Sequence, residues 1–312
     1  MNLQSSINNL YKEYISGVTT KHEYINKSYL NLKKLFEFKN FLKNSDVMGI
    51  DISKKNVIFK IKSPFKKNSY IKLLVDENDS RSIPYEIFNF KKFEENERNY
   101  LIRFASKSKH IIDIGANIGW YSINFNLMKN VKSVHSFEPI PSTFNILKKH
   151  LQINDANKIT INNFALSNKI DTDVFYLSNE SGSASMRNIQ KKKNIKKIQC
   201  KTITLDKYVT KNKLKCDLIK VDVEGSEFYV FLGAKKTLIK YKPIIFTEML
   251  RKWAHQFNYS PNDIIKFFKE IGYLCFIANK KKLKEIKKIS DSTSETNFFF
   301  LHKVKHKKFL IK

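Results

Sequence analysis

Arginine is scarce in this chain. Only five of its 58 basic residues are Arg (Arg81, Arg98, Arg103, Arg187 and Arg251), so lysine carries almost all of the formal charge of +29. Sites that read nucleic-acid bases favour Arg for its bidentate fork. Lysine that accumulates beside Asn, Ile and Phe is what a codon drift toward A and T produces. The charge then argues for solubility and non-specific attraction, with no specific nucleic-acid partner. Cysteine is equally sparse: Cys200, Cys216 and Cys275 are odd in number and lack CxxC spacing, which excludes a disulfide framework and a cysteine zinc site. No stretch approaches the roughly 18 uncharged apolar residues of a membrane span, and the opening MNLQSSINNLYKEY has no apolar signal core. The expectation is a cytoplasmic protein without a membrane span. Among the histidines only His302 and His306 stand at helical ligand spacing, and they fall in a basic tail. No metal is expected.

What the chain does have is the composition of a folded protein, 42% hydrophobic and 28% charged over 312 residues. Residues 1 to 45 read as helical, with apolar positions at helical spacing in YLNLKKLFEFKNFL (29–42). From 47 to 90 the pattern turns to short strand-like pieces at 56–62 and 70–76, broken by Pro64 and Pro84. Thereafter apolar strands alternate with helices: strands at 110–114, 132–137, 159–164, 217–223, 243–248, 273–278 and 297–302, with helices at 141–153 and 260–271. Such alternation means a parallel sheet covered on both faces. The division that follows is an N-terminal extension over 1–95 and one α/β domain over 96–312. The lysine runs at 191–197 and 280–288 and the tail HKVKHKKFLIK read as solvated faces and ends.

In a doubly wound sheet the ligand lies beyond the carboxyl ends of the strands, so the first strand and its turn carry the first clue. Here they read HIIDIGANIGWYS (110–122). Laid on the dinucleotide fingerprint from Gly115, the second glycine is Asn117 and the third is Trp120. An Asn side chain obstructs the approach of a pyrophosphate at that second position, so NAD fits poorly. A nucleoside ligand without a pyrophosphate fits better. Gly115 and Gly119 still allow close approach, Asn117 supplies a polar contact, and the Asp113 carboxylate suits an ammonium or sulfonium. That description matches S-adenosylmethionine. Glu138, about 20 residues past the glycine turn at the end of the next strand, is spaced to accept hydrogen bonds from ribose hydroxyls. Asn162, Asn163 and Ser167, with Phe164 and Ala165 as an apolar floor, either border an adenine or simply close the third strand.

DIGANIGWYS (113–122), FEP (137–139), NFALSN (163–168), GSAS (182–185), TLDKY (204–208) and IKVDVEGSE (219–227) occur in this order. With them the chain resembles the FkbM-type S-adenosylmethionine-dependent methyltransferases over about residues 100 to 305. The resemblance implies a Rossmann-like class I methyltransferase sheet, mostly parallel and doubly wound, behind the helical and β extension. It also implies O-methylation of a hydroxyl on a sugar, glycan or related small molecule.

Methyl transfer to an alcohol requires an acceptor oxygen held close to the methyl and a group to take its proton. Asp222 and Glu224, two apart on an extended segment, would point to the same side of the sheet rim. Either Asp222 serves catalysis, or one of the two caps the next helix or binds the methionine amino group. Glu248 ends the fifth strand, and Arg251, Lys252, Trp253 and His255 follow it, as either a sugar-binding platform or an ordinary surface helix. The candidate catalytic residues are Asp222, Glu248 and His255. The candidate cofactor residues are Asp113, Gly115, Asn117, Gly119, Glu138, Asn163, Ala165 and Asp222. The Ser- and Gly-rich loop at 178–186 is either a lid or a plain connection. Two other classes compete, a nucleic-acid methyltransferase and a non-catalytic module for anionic polymers. The fourth-strand motif DVEG, in place of Asp/Asn-Pro-Pro-aromatic, argues against the first, and intact Asp113, Gly115, Glu138 and Asp222 argue against the second. The sequence leaves the oligomeric state open.

Overall fold

The computed structural model describes residues 7–77, 79, 82–177, 184–188, 195–279 and 282–310. The chain opens with two helices, α1 (Ile7–Ile15) and α2 (Lys21–Leu42), and the second begins on a capping box between Thr20 and Glu23. An antiparallel three-stranded sheet follows, β1 (Val47–Ile52), β2 (Val57–Lys62) and β3 (Tyr70–Leu74), then α3 (Ile83–Phe90) and α4 (Glu95–Ala105).

The alternating part begins with β4 (His110–Ile114), α5 (Trp120–Asn126), β5 (Ser133–Phe137), α6 (Pro141–Ile153) and β6 (Ile159–Asn162). A small four-stranded sheet is inserted next, ordered β7 (Ala165–Leu166), β10 (Lys196–Ile203), β8 (Asp171–Leu177) and β9 (Ala184–Ser185). The chain then returns through α7 (Leu205–Lys211), β11 (Leu218–Val221), α8 (Glu227–Leu232), α9 (Lys235–Tyr241) and β12 (Ile244–Glu248). It closes with α10 (Arg251–Ala254), α11 (Pro261–Glu270), β13 (Tyr273–Asn279), β14 (Lys282–Ile286), β15 (Asn297–His302) and α12 (Lys307–Leu310). The helix expected at 141–153 has those bounds, with proline in its first turn. The one expected at 260–271 starts from Ser260, whose amide donates to the Asp263 carboxylate.

The main sheet runs β14-β13-β15-β12-β11-β4-β5-β6. Strands β12, β11, β4, β5 and β6 are mutually parallel, and β15 lies antiparallel between β12 and β13. The result is an α/β architecture with a mostly parallel eight-stranded sheet. Its strands are apolar on both faces, so neighbouring residues feed opposite cores. Ile111, Leu218 and Ile244 pack on one side with Phe104, Trp120 and Phe125. Ile112, Ile219 and Ile245 pack on the other with Phe231, Phe268 and Phe300. The first core also takes in Phe59, Ile61, Ile71 and Leu73, so the three-stranded sheet is seated on the main one. Beyond β4 the chain steps outward to β5 and β6 and later re-enters beside β4 as β11. The order therefore reverses at the carboxyl ends of β4 and β11, where such sheets bind ligands.

The basic stretches keep their described lysines in solvent, as expected, while the residues between them join the fold; of the run at 191–197, residues 191–194 lie outside the described residues and 196–197 open β10. Residues 282–286 form β14, paired antiparallel with β13. In the tail, His302 and His306 are buried, and the His306 ring nitrogen Nδ1 accepts the His302 amide at 2.9 Å. A sheet edge and an apolar cleft near Phe104 and Phe309 were available to these segments, and their lysines simply face outward. Among the described residues no helix is long and apolar enough to cross a membrane.

Candidate functional site

At the switch point the backbone is shaped by Gly115. Its φ is +72°, and a Cβ there would fall 1.8 Å from the Asp222 carbonyl oxygen, so only glycine lets the β4 turn pass over the end of β11. Asn117 adopts a left-handed φ of +49°, and its amide donates to Glu138 Oε2 at 3.0 Å. The Ile140 amide donates to the other oxygen, Oε1, at 2.9 Å. Glu138 therefore clamps the turn after β4 to the turn after β5. Burial pushes its carboxyl up to about 7, although the Ile140 and Asn117 amides pull it down.

A cleft opens beside this clamp, with about 70 Å³ of enclosed space and a mouth open to solvent. Gly115, Asn117, Glu138 and Ala165 line it, and so do Asp222 and Glu224. Phe137, Ile140, Leu166 and Phe175 form its apolar walls. Ala184 and Met186, from the end of the Ser- and Gly-rich stretch, complete them; residues 178–183 of that stretch lie outside the described residues. The inserted small sheet thus contributes to the cleft wall, which the sequence did not reveal.

Three of the expected cofactor residues support the cleft without lining it. Asp113 is fully buried, accepts a hydrogen bond from Ser122 Oγ and lies 3.6 Å from Lys220 Nζ. Gly119, at φ +94°, starts α5 where a Cβ would meet Leu147 at 2.5 Å. Asn163 donates to the Glu138 and Pro139 carbonyls at 2.9 and 3.1 Å, holding the β5 turn from outside.

Past Asp222 the cleft meets a concentration of carboxyl groups. Lys220, itself buried, donates to the Gly115 carbonyl at 2.8 Å and stands 3.5 Å from Asp222 Oδ2, with its ammonium 5.6 Å from the Tyr121 ring centre. Burial pulls its ammonium down, but Asp222, Asp113 and Glu94 outweigh that and hold it above the ordinary lysine value. Glu224 and Glu248 are raised to about 8 and about 9, first by burial and then by the Asp222 charge. The expected reason for the Asp222–Glu224 pairing does not hold. β11 ends at Val221, and Glu224 sits in a tight turn at φ +55°, closed by Glu227, whose Oε1 accepts the Val223 and Gly225 amides at 3.1 Å each. Turn geometry, not strand alternation, brings the two carboxyls near each other.

His255 is not part of this group. It is exposed, on the turn after α10, and opens on a separate surface depression with Met249, Arg251 and Glu295. Trp253 lines neither space, and the Lys252 ammonium lies 5.3 Å from its ring centre. The helical turn carries His255 away from the rim once β12 has ended, while Trp253 packs against the Gly225 turn. In their place stands Glu94, a residue of the extension that the sequence reading did not single out. It accepts a hydrogen bond from Tyr121 Oη, holds a left-handed φ of +42°, and is raised to about 8 by burial and then by Asp222. Nothing in local sequence marks it; only the Trp120-Tyr121 pair after the glycine turn, against which Phe93 packs, hints at a neighbour from upstream. Among the described residues no three His, Cys, Asp or Glu side chains converge closely enough to hold a metal ion.

Comparison with known proteins adds a family. The model of the methyltransferase FkbM domain matches residues 113–275, just over half of the chain. No curated protein sequence matches. Among solved structures, a methyltransferase FkbM from Methylobacillus flagellatus is 16% identical with a TM-score of 0.40, over 69% of this chain and 53% of that one. This chain therefore spans about half the length of that protein. An O-methyltransferase from Bacillus cereus, solved in complex with SAH, is 12% identical with a TM-score of 0.39, over 68% of this chain and 81% of that one.

Proposed function

Because the chain belongs to the FkbM methyltransferase family, we propose that it is an S-adenosylmethionine-dependent O-methyltransferase acting on a hydroxyl of a sugar, glycan or related small molecule. The observation that carries this reading is the continuity of the cleft, which is apolar at Phe137, Ile140 and Leu166, polar at Asn117 and Glu138, and acidic at Asp222 and Glu224. Its residues suit the parts of that cofactor in order. The apolar walls suit the base and Glu138 the ribose hydroxyls, while the excess of carboxyls around one lysine suits the ammonium and sulfonium. The sheet, with one antiparallel strand slipped between parallel neighbours, is consistent with a class I methyltransferase fold.

When bound, S-adenosylmethionine would supply the methyl group, with Asn117, Glu138, Asp222 and Glu224 placed to hold it. The chain's own part is to hold, to exclude water and to take one proton. Asp222 and Glu224 line the cleft and face the methionine end. Glu248 lies farther along the rim and takes the hydroxyl proton. A cation bound beside the carboxyls relieves their mutual repulsion, so that Glu248 sheds its own proton and becomes a base. Lys220 keeps the group from repelling itself apart before the ligand arrives. The test is to incubate the protein with methyl-labelled S-adenosylmethionine and a panel of nucleotide sugars and oligosaccharides, with RNA and duplex DNA alongside. Label in a methyl ether on a carbohydrate hydroxyl supports the reading. Label confined to nucleic acid would replace it.

A further inference from the structure

Helix α2 spans 22 residues and none of them is buried. Helices in folded proteins are held mainly by packing of an apolar face, and isolated ones are marginal in water. The apolar residues of this helix are spread around it, with half-exposed Leu30 and Leu35 on other sides, but one side forms a regular row. Ile25, Tyr29, Leu32 and Phe36 recur at intervals of four, three and four, the spacing of a coiled-coil seam, and at about 100° per residue they fall within roughly 60° of arc. Near its carboxyl end, on another side, Phe38 and Phe41 rest on Phe88 of α3, so the seam is not the side that holds the helix to the body. Helix α1 folds back on the amino-terminal half of α2. Its buried Leu10 and its Tyr14, whose ring stacks on Tyr24 at 4.9 Å, mark the inward side. Ile7, Tyr11 and Ile15 stand about 40 to 120° around from that side, and the antiparallel direction of α1 turns them to the same side of the hairpin as the α2 seam. All seven residues are 51% to 65% exposed.

We propose that this joint face of α1 and α2 is a dimer interface, covered by the same face of a second copy of this chain. The first argument is area. Half of seven large side chains is roughly 700 Å² of apolar surface, beyond the patch an ordinary monomer leaves open and close to the approximately 800 Å² each partner contributes to a stable complex. The second is period. A lipid surface needs an apolar arc but no register, whereas the four-three-four spacing is what a facing helix interlocks with. In a two-fold antiparallel arrangement Ile25 lies opposite Phe36 and Tyr29 opposite Leu32, and α1 meets α1, giving four helices around one apolar centre. At each end of the seam Lys39 then faces His22 of the second copy, one residue from its Lys21, and Lys21 and Lys39 are both exposed.

That last pair gives the test its sign. The full chain is sedimented at micromolar concentration over a range of salt, and in parallel floated with phosphatidylglycerol vesicles. The expected result is a dimer that tightens as salt screens the Lys21–Lys39 repulsion. The Tyr29→Lys/Leu32→Lys variant should run as a monomer, with an unchanged circular dichroism spectrum over the α/β body and unchanged S-adenosylhomocysteine binding. Lys39→Glu alone should strengthen the dimer at low salt. A wild-type chain that stays monomeric overturns the proposal, as does a dimer indifferent to Tyr29→Lys/Leu32→Lys. A monomer that floats with the vesicles and is released by salt would assign the face to an anionic membrane surface instead.

Discussion

Glu138 and Glu248 both stand at the carboxyl ends of parallel strands on one rim, and their settings are opposite. Glu138 has each oxygen fixed by a backbone amide, and it locks two turns together whatever is bound. Glu248 is half-buried among other carboxyls, and what raises it after desolvation is the repulsion of Asp222, Glu224, Glu227 and Glu94. The end of the cleft at Glu138 is preorganised, whereas the rim beyond Asp222 gathers carboxyls that Lys220 only partly balances. A group satisfied by the fold positions a ligand. One left unsatisfied by the fold answers to the ligand's arrival.

The strongest break in this contrast is on the unsatisfied side. Glu248→Gln should cut methyl transfer by about 10²–10⁴-fold with cofactor affinity nearly unchanged. Asp222→Asn should lose turnover and cofactor affinity together, and His255→Ala should change neither by more than about twofold. Steady-state transfer on each variant, paired with cofactor titration, checks this. If Glu248→Gln keeps normal turnover, the proton goes elsewhere, and Glu94 is the next carboxyl to remove.

On the satisfied side, Glu138→Ala should weaken binding of S-adenosylhomocysteine by about 1.5–3 kcal/mol, the worth of hydrogen bonds to a charged group. Calorimetry measures it directly, and little change would move the ribose contact off Glu138.

Stability should also depend on pH. Glu94, Glu224 and Glu248 are raised from 4.5 to about 8, 8 and 9. The folded state then binds more protons than the unfolded state between those limits, so stability is full below pH 4.5 and falls as pH rises toward 9. Denaturant melts of the ligand-free protein at pH 6 and 9 should show that fall, and Glu248→Gln should flatten it. Binding of the cationic cofactor should run the other way and tighten over the same range.

What could be read from sequence and what could not divide along the same line. The strands at 110–114 and 297–302, the helix at 141–153 and the Gly115-to-Glu138 spacing were legible because local pattern fixes them: continuous apolar runs, a proline in the first helical turn, glycines where φ is positive. The acidic rim was legible only in part. Asp222 and Glu248 end strands and could be named, but Glu94 reaches them from a segment more than a hundred residues earlier in the chain, and Lys220 looked like one more lysine in a chain full of them. His255 is the converse case, near Glu248 in sequence but placed by a helical turn on a separate, exposed depression. In β14 and the tail the lysines are solvated, as their runs suggested, but the runs concealed the residues between them that seat both segments, such as His302 and His306.

The most direct test of the account is one calorimetric series on the wild-type protein with S-adenosylmethionine, S-adenosylhomocysteine and NAD. The account predicts that both adenosyl ligands bind at one site per chain and that NAD does not, because Asn117 stands where a pyrophosphate must approach. Binding of NAD with no binding of either adenosyl ligand would contradict it.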